Sequence, residues 1–232
     1  IGIRGVLTTL AERINACAVL ANYSRLVVDV NRAPDHPTAF PRMGEETPVP
    51  GNIRISQEAK DARLKNLYHP FHKHVAGALE RIKRLSMVPL VISVHSFTPV
   101  FFNQQRPWEI GFLSVDDRRA TDMIMPYFRD KGFNVGDNQP YDARMLRGTS
   151  LNRHACDNRY PSLLFEIRND LIDTADKSVQ WGHMIADALE GILGDKSLHT
   201  LYEGPFSEFD EEQSKNYFIE VEKQAKRGEQ HG

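Results

Sequence analysis

Two apolar, strand-like segments of the sequence lead into side chains that can do acid–base or metal chemistry. His95 directly follows the apolar run at residues 89–94, and Glu166 lies inside the apolar run at residues 162–167. Burying a carboxylate is costly unless the group is paired or binds a metal. The two residues therefore predict a metal-ligating imidazole next to a general-base carboxylate. The structural alternatives are a packed core histidine and an ion pair between Glu166 and an arginine such as Arg168.

A second set of polar residues is suited to recognising an anionic substrate. Its members follow predicted strands or lie on an arginine-rich stretch between residues 137 and 160. Arginine binds carboxylates through two parallel hydrogen bonds. The candidates for substrate binding are Asn31 and Arg32, residues 137–141, and Arg144, Arg147 and Arg153. The alternative for such a stretch is a solvated, charged loop.

Two other patterns are weaker indications of chemistry. His69, His72 and His74 are close together in the sequence, but no acidic partner accompanies them and Pro70 interrupts a helix at this point. Ser96 follows His95 directly, yet adjacent residues on an extended chain point to opposite sides, and no GxSxG motif is present.

Hydrophobic periodicity and breaker residues predict the elements that must position these side chains. Helices are predicted at residues 3–14, 56–85, 116–131 and 171–193. Strands are predicted at residues 16–20, 26–30, 89–94, 108–113, 132–136 and 162–167. Long irregular loops are predicted at residues 33–52 and 137–160. Pro70 should kink or divide the second helix, and the continuous apolar runs at 89–94 and 162–167 are typical of central strands. Strands that alternate with helices predict an α/β sandwich with a mixed, mostly parallel sheet.

Composition and charge exclude several classes of protein. The chain has 232 residues, with 29 Lys and Arg against 31 Asp and Glu, so its net charge is −2. This balance gives no general electrostatic case for binding nucleic acid or an anionic membrane surface. No long uncharged apolar run is present, so no transmembrane helix is expected. Two cysteines without a CxxC pair exclude a disulfide framework and a cysteine zinc site, and the expected compartment is the reducing cytoplasm.

The domain organisation is predicted from the distribution of apolar residues. Residues 1–195 should form the main α/β domain, and residues 196–232 a polar extension with an amphipathic helix near residues 211–226. The sequence begins with Ile1 and shows no signal-peptide pattern. We therefore expect further residues upstream, with part of the active site among them.

An ordered series of short motifs over residues 1–195 resembles the N-formylglutamate amidohydrolase family. The motifs are residues 24–32 (SRLVVDVNR), 68–72 (YHPFH), 91–96 (VISVHS), 136–141 (GDNQPY), 153–155 (RHA) and 164–171 (LFEIRNDL). The fold of that family is similar to the fold of zinc-dependent exopeptidases and aspartoacylase. The resemblance therefore implies a three-layer sandwich.

The resemblance also implies a mechanism in which water activated by one zinc ion attacks an amide carbonyl. It makes His95 a zinc ligand, Glu166 the general base and acid, and His154 a residue that orients the site or binds substrate. The substrate-side residues are Asn31, Arg32, Asn138, Tyr141 and Arg144. The implied substrate is a small anionic N-acyl amino acid, N-formyl-L-glutamate first, cleaved to formate and L-glutamate as in histidine degradation. A homo-oligomer is a candidate assembly.

Two departures from the family pattern leave alternatives open. Family members carry an upstream His-containing motif and an acidic residue that complete the metal site, and residues 1–23 do not match them. Residues 142–147 (DARMLR) replace a usual Gly-Gly-Tyr stretch, and Phe97 stands where Met usually follows His-Ser. The alternatives are an amidase or peptidase acting on another polar amide, and a non-catalytic binding module that retains the fold.

Overall fold

The computed structural model of the protein describes residues 1–44, 47–146, 148–207 and 217. Its helices are α1 (Ile3–Arg13), α2 (Pro50–Ile53), α3 (Gln57–Arg63), α4 (His69–Lys83), α5 (Arg119–Asp130), α6 (Ser150–His154) and α7 (Ala175–Glu190). Its strands are β1 (Met43–Gly44), β2 (Thr47–Pro48), β3 (Val91–Phe97), β4 (Val100–Phe101), β5 (Gln104–Gln105), β6 (Ile110–Leu113), β7 (Val135–Asp137) and β8 (Ser162–Arg168).

The main sheet has the order β3-β8-β6-β7. The pairs β3·β8 and β6·β7 are parallel, whereas β6·β8 is antiparallel, so the sheet is mixed and mostly parallel as predicted. The position of β8 in the interior of this sheet confirms the prediction for residues 162–167. The prediction that residues 89–94 form a central strand is wrong, because β3 lies at the edge of the described sheet and its residues are mostly half-buried.

Helices cover both faces of the sheet. On one face, alternate residues of β8 (Leu163, Phe165 and Ile167) pack with α1, α5 and α7 in the main hydrophobic core. On the other face, Leu164 of β8 packs with Leu151 of α6. Because side chains alternate along a strand, Glu166 belongs to the face that α6 covers. The architecture is therefore a layered α/β sandwich.

The predicted helix at residues 56–85 forms as two α-helices joined by a π-helical turn at Leu64–Tyr68. Ser56 begins the first of them, since its Oγ accepts a hydrogen bond from the backbone N–H of Ala59 (3.2 Å). Pro70 lies in the first turn of α4, where a missing N–H costs little. The helical backbone is therefore continuous from residue 57 to residue 83, and a kink at Pro70 stays a prediction.

Two predicted strands are absent from the structure. Residues 16–20 have no regular structure, and residues 26–30 form turns in which the backbone N–H of Asp29 donates to the carbonyl of Ala39 (2.9 Å). The apolar character of the second segment has another cause. Val28 is buried in a small separate core with Phe40 and Tyr68, so its burial needs no sheet.

The predicted loops contain short regular elements. The loop at residues 33–52 includes the β1–β2 hairpin, and the loop at residues 137–160 includes α6. The latter helix begins with a capping box, in which Thr149 and Asn152 exchange hydrogen bonds between side chain and backbone.

The chain beyond residue 195 begins as part of the main domain. Leu198 is fully buried in the main hydrophobic core. The amphipathic helix predicted near residues 211–226 lies outside the described residues, apart from Tyr217. Among the residues that the structure describes, no helix has the length and apolar character needed to cross a bilayer.

Candidate active site

His95 and Glu166 lie side by side on the face of the sheet that α6 covers. His95 is the register partner of Glu166 in the pairing of β3 with β8, and Glu166 lies opposite Gly111 of β6. Register partners on adjacent strands present their side chains on the same face. Both residues are near the carboxyl ends of their strands, which is where ligands bind in open α/β sheets.

Two glycines continue this row of residues and leave room for a loop to pack on the sheet. A Cβ at Gly111 would overlap the carbonyl oxygen of Gln139. A Cβ at Gly136, the register partner of Gly111 on β7, would lie 2.7 Å from the Cβ of Gln139. The absence of side chains at both positions therefore allows residues 138–141 to cross the sheet beside Glu166.

Asn138 uses its side-chain amide within that loop. Its Oδ1 accepts hydrogen bonds from the backbone N–H groups of Ser114 (3.1 Å) and Ala143 (3.3 Å), and its Nδ2 donates to the carbonyl of Ser114 (3.1 Å). The backbone of Asn138 has a φ of 50°, a left-handed conformation that asparagine tolerates. The amide therefore positions the loop, and contact with substrate stays a prediction for this residue.

Glu166 is a buried acid without an ion pair in the part of the chain that the structure describes. Its residue is 6% exposed, and its Oε2 has no hydrogen-bond partner among the described residues. Burial raises the pKa of this carboxyl to about 8, against the lowering effect of Arg106, Arg25 and Arg32. Arg168 pairs instead with Asp170 (2.8 Å), so the predicted structural alternative for Glu166 is not observed.

His95 is a half-buried, neutral imidazole. Its Nε2 is 2.9 Å from the Oγ of Ser93, two residues earlier on the same face of β3. Burial lowers the pKa of His95 to about 4, while Asp29 acts in the opposite direction. A neutral imidazole is the form that binds metal ions, so this environment is suited to the predicted role as a ligand.

The described residues do not by themselves fit a complete zinc site. Catalytic zinc takes three protein ligands, usually from His, Cys, Asp or Glu. Within residues 1–44, 47–146, 148–207 and 217, no three such side chains converge on one point, and this includes the cluster His69, His72 and His74. His95 and Glu166 supply two possible metal ligands, an imidazole and a carboxylate, on the same face of the sheet.

Cations outnumber anions around Glu166. The guanidinium groups of Arg25, Arg32 and Arg106 all lower the pKa of Glu166, while Asp29 forms an ion pair with Arg25 (2.9 Å). The three arginines, Asp29 and Glu166 together carry a net charge of +1 when Glu166 is ionised and +2 when Glu166 is protonated. Such a cluster favours an anionic ligand.

Arg106 was not recognised from the sequence, although it is central to this cluster. It follows the β4–β5 hairpin, is 8% exposed, and its Nη1 donates to the Oη of Tyr141 (3.2 Å). Burial raises the pKa of the Tyr141 hydroxyl, and Glu166 raises it further. Tyr141 thus interacts with both Arg106 and Glu166, and its contact with substrate stays a prediction. The aromatic residues near Arg106 in the sequence are the feature from which this arginine could have been recognised.

Asn31 and Arg32 are held by α6 and by the π-helical turn that precedes α4. The Oδ1 of Asn31 accepts from the backbone N–H of Ser150 (2.9 Å), and the Oη of Tyr68 donates to the carbonyl of Arg32 (2.9 Å). The Arg32 side chain is buried, and its charge reaches both Glu166 and His95. The structure therefore brings Arg32 together with the two predicted catalytic residues.

His154 is paired with a histidine to which the sequence assigned no role. Its Nε2 is 2.7 Å from the Nδ1 of His72, and both residues are buried. Burial, followed by the charge of Arg153, lowers the pKa of both imidazoles, that of His72 to about 4. The two rings therefore form a neutral pair that joins α4 to α6.

Arg144 lies apart from the buried residues. Its exposed guanidinium makes two hydrogen bonds to Asp142, from Nε (2.8 Å) and Nη2 (2.6 Å). The hydroxyl of Tyr217, from the C-terminal part of the chain, accepts a hydrogen bond from the backbone N–H of Asp142 (2.9 Å). Asp142 directly follows Tyr141, so Tyr217 supports the loop that carries a site residue.

A groove of about 760 Å³ runs along β3 beside His95. Its polar lining includes Asn31, His95, Ser96 and His154, and its apolar lining comes largely from β3 and α4. Its volume lies in the range of small-molecule sites. Two predicted residues, His95 and His154, therefore face the same groove.

Two solved structures are similar to this chain. A gene product of Agrobacterium tumefaciens has 32% sequence identity and a TM-score of 0.75, over 83% of this chain and 78% of that one. The N-formylglutamate amidohydrolase from Ralstonia eutropha JMP134 has 18% identity and a TM-score of 0.51, over 81% of this chain and 82% of that one. At this identity the second similarity concerns the fold alone. No curated protein matches the sequence.

Comparison with protein families establishes the class of enzyme. The protein is a hydrolase that acts on an amide bond. The matching family is that of N-formylglutamate amidohydrolase, over residues 1–173, and the chain belongs to this family. The resemblance found in the sequence motifs is thus confirmed.

Proposed function

We propose that this protein hydrolyses the amide bond of N-acyl acidic amino acids, with N-formyl-L-glutamate as the first candidate, and releases formate and L-glutamate. The observation that carries the proposal is the buried Glu166 carboxyl, in register with His95 and surrounded by three arginines. A substrate with two carboxylates complements the net positive charge of this cluster. Family membership supports the amide bond as the reacting group.

Glu166 performs the proton transfers in this proposal. Its carboxylate takes a proton from water as the water oxygen attacks the formyl carbon. The C–N bond then breaks, the carboxyl returns the proton to the leaving nitrogen, and formate and the free amino acid depart. A pKa of about 8 is close to neutral pH, so both protonation states are accessible to one group.

Zinc dependence is part of the proposal and concerns His95. The neutral imidazole is a suitable ligand, although the described residues supply no set of three ligands. The cytoplasm remains the proposed compartment. The free thiols of Cys17 and Cys156 agree with a reducing environment.

The experiment that tests the proposal measures products from a panel of N-acyl amino acids, with and without added zinc. We expect formate and L-glutamate from N-formyl-L-glutamate, and slower cleavage of N-formyl derivatives of neutral amino acids. A protein that cleaves no member of the panel, in either metal condition, contradicts the proposal. Faster cleavage of peptides than of free acyl amino acids contradicts the substrate assignment.

The non-catalytic binding module left open by the sequence is excluded by the enzyme class that family membership establishes.

A further inference from the structure

We propose that Arg106 recognises a carboxylate of the N-acyl amino acid substrate. This inference rests on the hydrolysis proposed above and adds the residue that binds this carboxylate. Three observations support it: the location of the Arg106 guanidinium near Glu166, the contacts that hold it, and its lack of an anionic partner among the described residues.

The Arg106 guanidinium is held in a fixed orientation by aromatic rings. Its central carbon is 4.3 Å from the ring centroid of Phe101, 5.0 Å from that of Tyr141 and 5.9 Å from that of Phe97. The backbone N–H of Arg106 also donates to the carbonyl of Pro99 (2.8 Å), across the base of the β4–β5 hairpin. A guanidinium held in this way loses little further freedom when it binds a planar anion.

The same guanidinium lacks an anionic partner in the described part of the chain. Arg25 has Asp29 and Arg144 has Asp142, but no carboxylate among the described residues lies within ion-pair distance of Arg106. Its side-chain hydrogen bond to Tyr141 uses one of five N–H donors. Burying a cation without an anion is unfavourable, so binding of a carboxylate would relieve this cost.

The location of Arg106 places such a carboxylate next to the reacting group. Arg106 is the cation with the greatest lowering effect on the Glu166 pKa, ahead of Arg25 and Arg32. In an N-acyl amino acid, the α-carboxylate is separated from the scissile nitrogen by a single carbon, and the side-chain carboxylate of glutamate lies two methylenes further away. Either group can reach a guanidinium close to Glu166.

The test uses Arg106→Gln and Arg106→Lys with three substrates: N-formyl-L-glutamate, N-formyl-L-glutamine and the α-amide of N-formyl-L-glutamate. We expect Arg106→Gln to lower kcat/KM for N-formyl-L-glutamate by about 10²-fold, mainly through KM, as for loss of one partner of a buried charge pair. Arg106→Lys retains the charge but cannot form the two parallel hydrogen bonds of a guanidinium. Its kcat/KM should therefore lie between the values for Arg106→Gln and the wild type. The matched control is Arg129→Gln, at an exposed arginine on α5.

The amide analogues decide whether Arg106 contacts a carboxylate. For the analogue that lacks the recognised carboxylate, the effect of Arg106→Gln should shrink to less than about 5-fold. That analogue also identifies the carboxylate concerned. Equal losses for all three substrates show instead that Arg106 acts through Glu166, and unchanged kinetics show that it has no role. Either result overturns the proposal.

Calorimetric binding of L-glutamate separates this inference from the proposed function. If the wild type cleaves no N-acyl amino acid, the proposed function fails, and the affinity of L-glutamate for the wild type and for Arg106→Gln still tests the carboxylate site. We expect at least a 10-fold weaker affinity for Arg106→Gln. Equal affinities overturn the role of Arg106. Thermal melting identifies a variant that fails to fold, in which case Arg106→Lys gives the decisive comparison.

Discussion

Replacing Glu166 by Gln should change how the stability of the protein depends on pH. Burial raises the pKa of the folded carboxyl to about 8, while the unfolded carboxyl titrates near 4.5. The stability that this group contributes is therefore fully present below pH 4.5 and is lost as the pH rises through about 8. Glutamine has a similar shape and no titration, so the variant should not show this loss.

The structure gives the size of the effect. Between pH 4.5 and about 8, the free energy of unfolding of the wild type falls relative to that of Glu166→Gln. At about 1.4 kcal/mol per pH unit, the full difference is about 5 kcal/mol as an upper limit. For a chain of this size, that corresponds to a relative shift of about 10–20 °C in Tm.

The assay is urea unfolding of both proteins at pH 5.5, 7 and 8.5, with a chelator present. His95 and His72, whose pKa values lie near 4, affect both proteins in the same way and cancel in the difference. The matched control is Glu12→Gln, at an exposed position on α1, for which we expect no change in slope with pH. A difference between wild type and Glu166→Gln that does not vary with pH would refute the reasoning, because it would mean that the folded carboxyl titrates normally.

Three further predictions concern activity toward N-formyl-L-glutamate. kcat/KM should rise with pH as Glu166 loses its proton and becomes a base; a flat profile between pH 6 and 9 contradicts this role. Gly111→Ala should lower kcat/KM at least 10-fold and reduce Tm, because the new Cβ overlaps the carbonyl of Gln139 and displaces the site loop. Tyr217→Phe should raise KM by about 2- to 10-fold, because the backbone N–H of Asp142 loses its acceptor.

Each of the two substitutions in the loop region has a matched control. Gly194→Ala adds a Cβ that has no heavy atom within 4 Å, and Tyr202→Phe removes a hydroxyl that donates to Pro205 (3.4 Å) within the C-terminal part of the chain. We expect both controls to behave like the wild type in steady-state kinetics and thermal melting. Wild-type kinetics for Gly111→Ala or Tyr217→Phe would show that the loop after β7 does not shape the site.

The periodic helices were predictable from the sequence because their signals are local. Apolar residues at helical spacing and a capping serine at residue 56 locate α1, α3, α5 and α7 to within a few residues. The apolar run at residues 162–167 likewise predicts β8, with Glu166 as its one acidic residue. Placement of a carboxylate inside such a run is what made Glu166 a candidate.

Features that depend on distant neighbours were not predictable in this way. The run at residues 89–94 predicts a strand, but nothing local distinguishes an edge strand from a central one. Val28 is apolar because it packs on Phe40 and Tyr68, and local periodicity cannot separate this from strand formation. Arg106 is buried only because the β4–β5 hairpin folds it against Tyr141, a contact between residues 35 positions apart.

The central claim is that Glu166 transfers protons in the hydrolysis of N-formyl-L-glutamate. The most direct measurement compares release of formate and L-glutamate by the wild type and by Glu166→Gln, at matched substrate saturation and with zinc content determined for both. We expect equal amounts of the two products from the wild type. We also expect a kcat lower by about 10²- to 10⁴-fold in Glu166→Gln, with fold and zinc content retained. Near-normal turnover in Glu166→Gln, or loss of zinc together with activity, would contradict the role assigned to this residue.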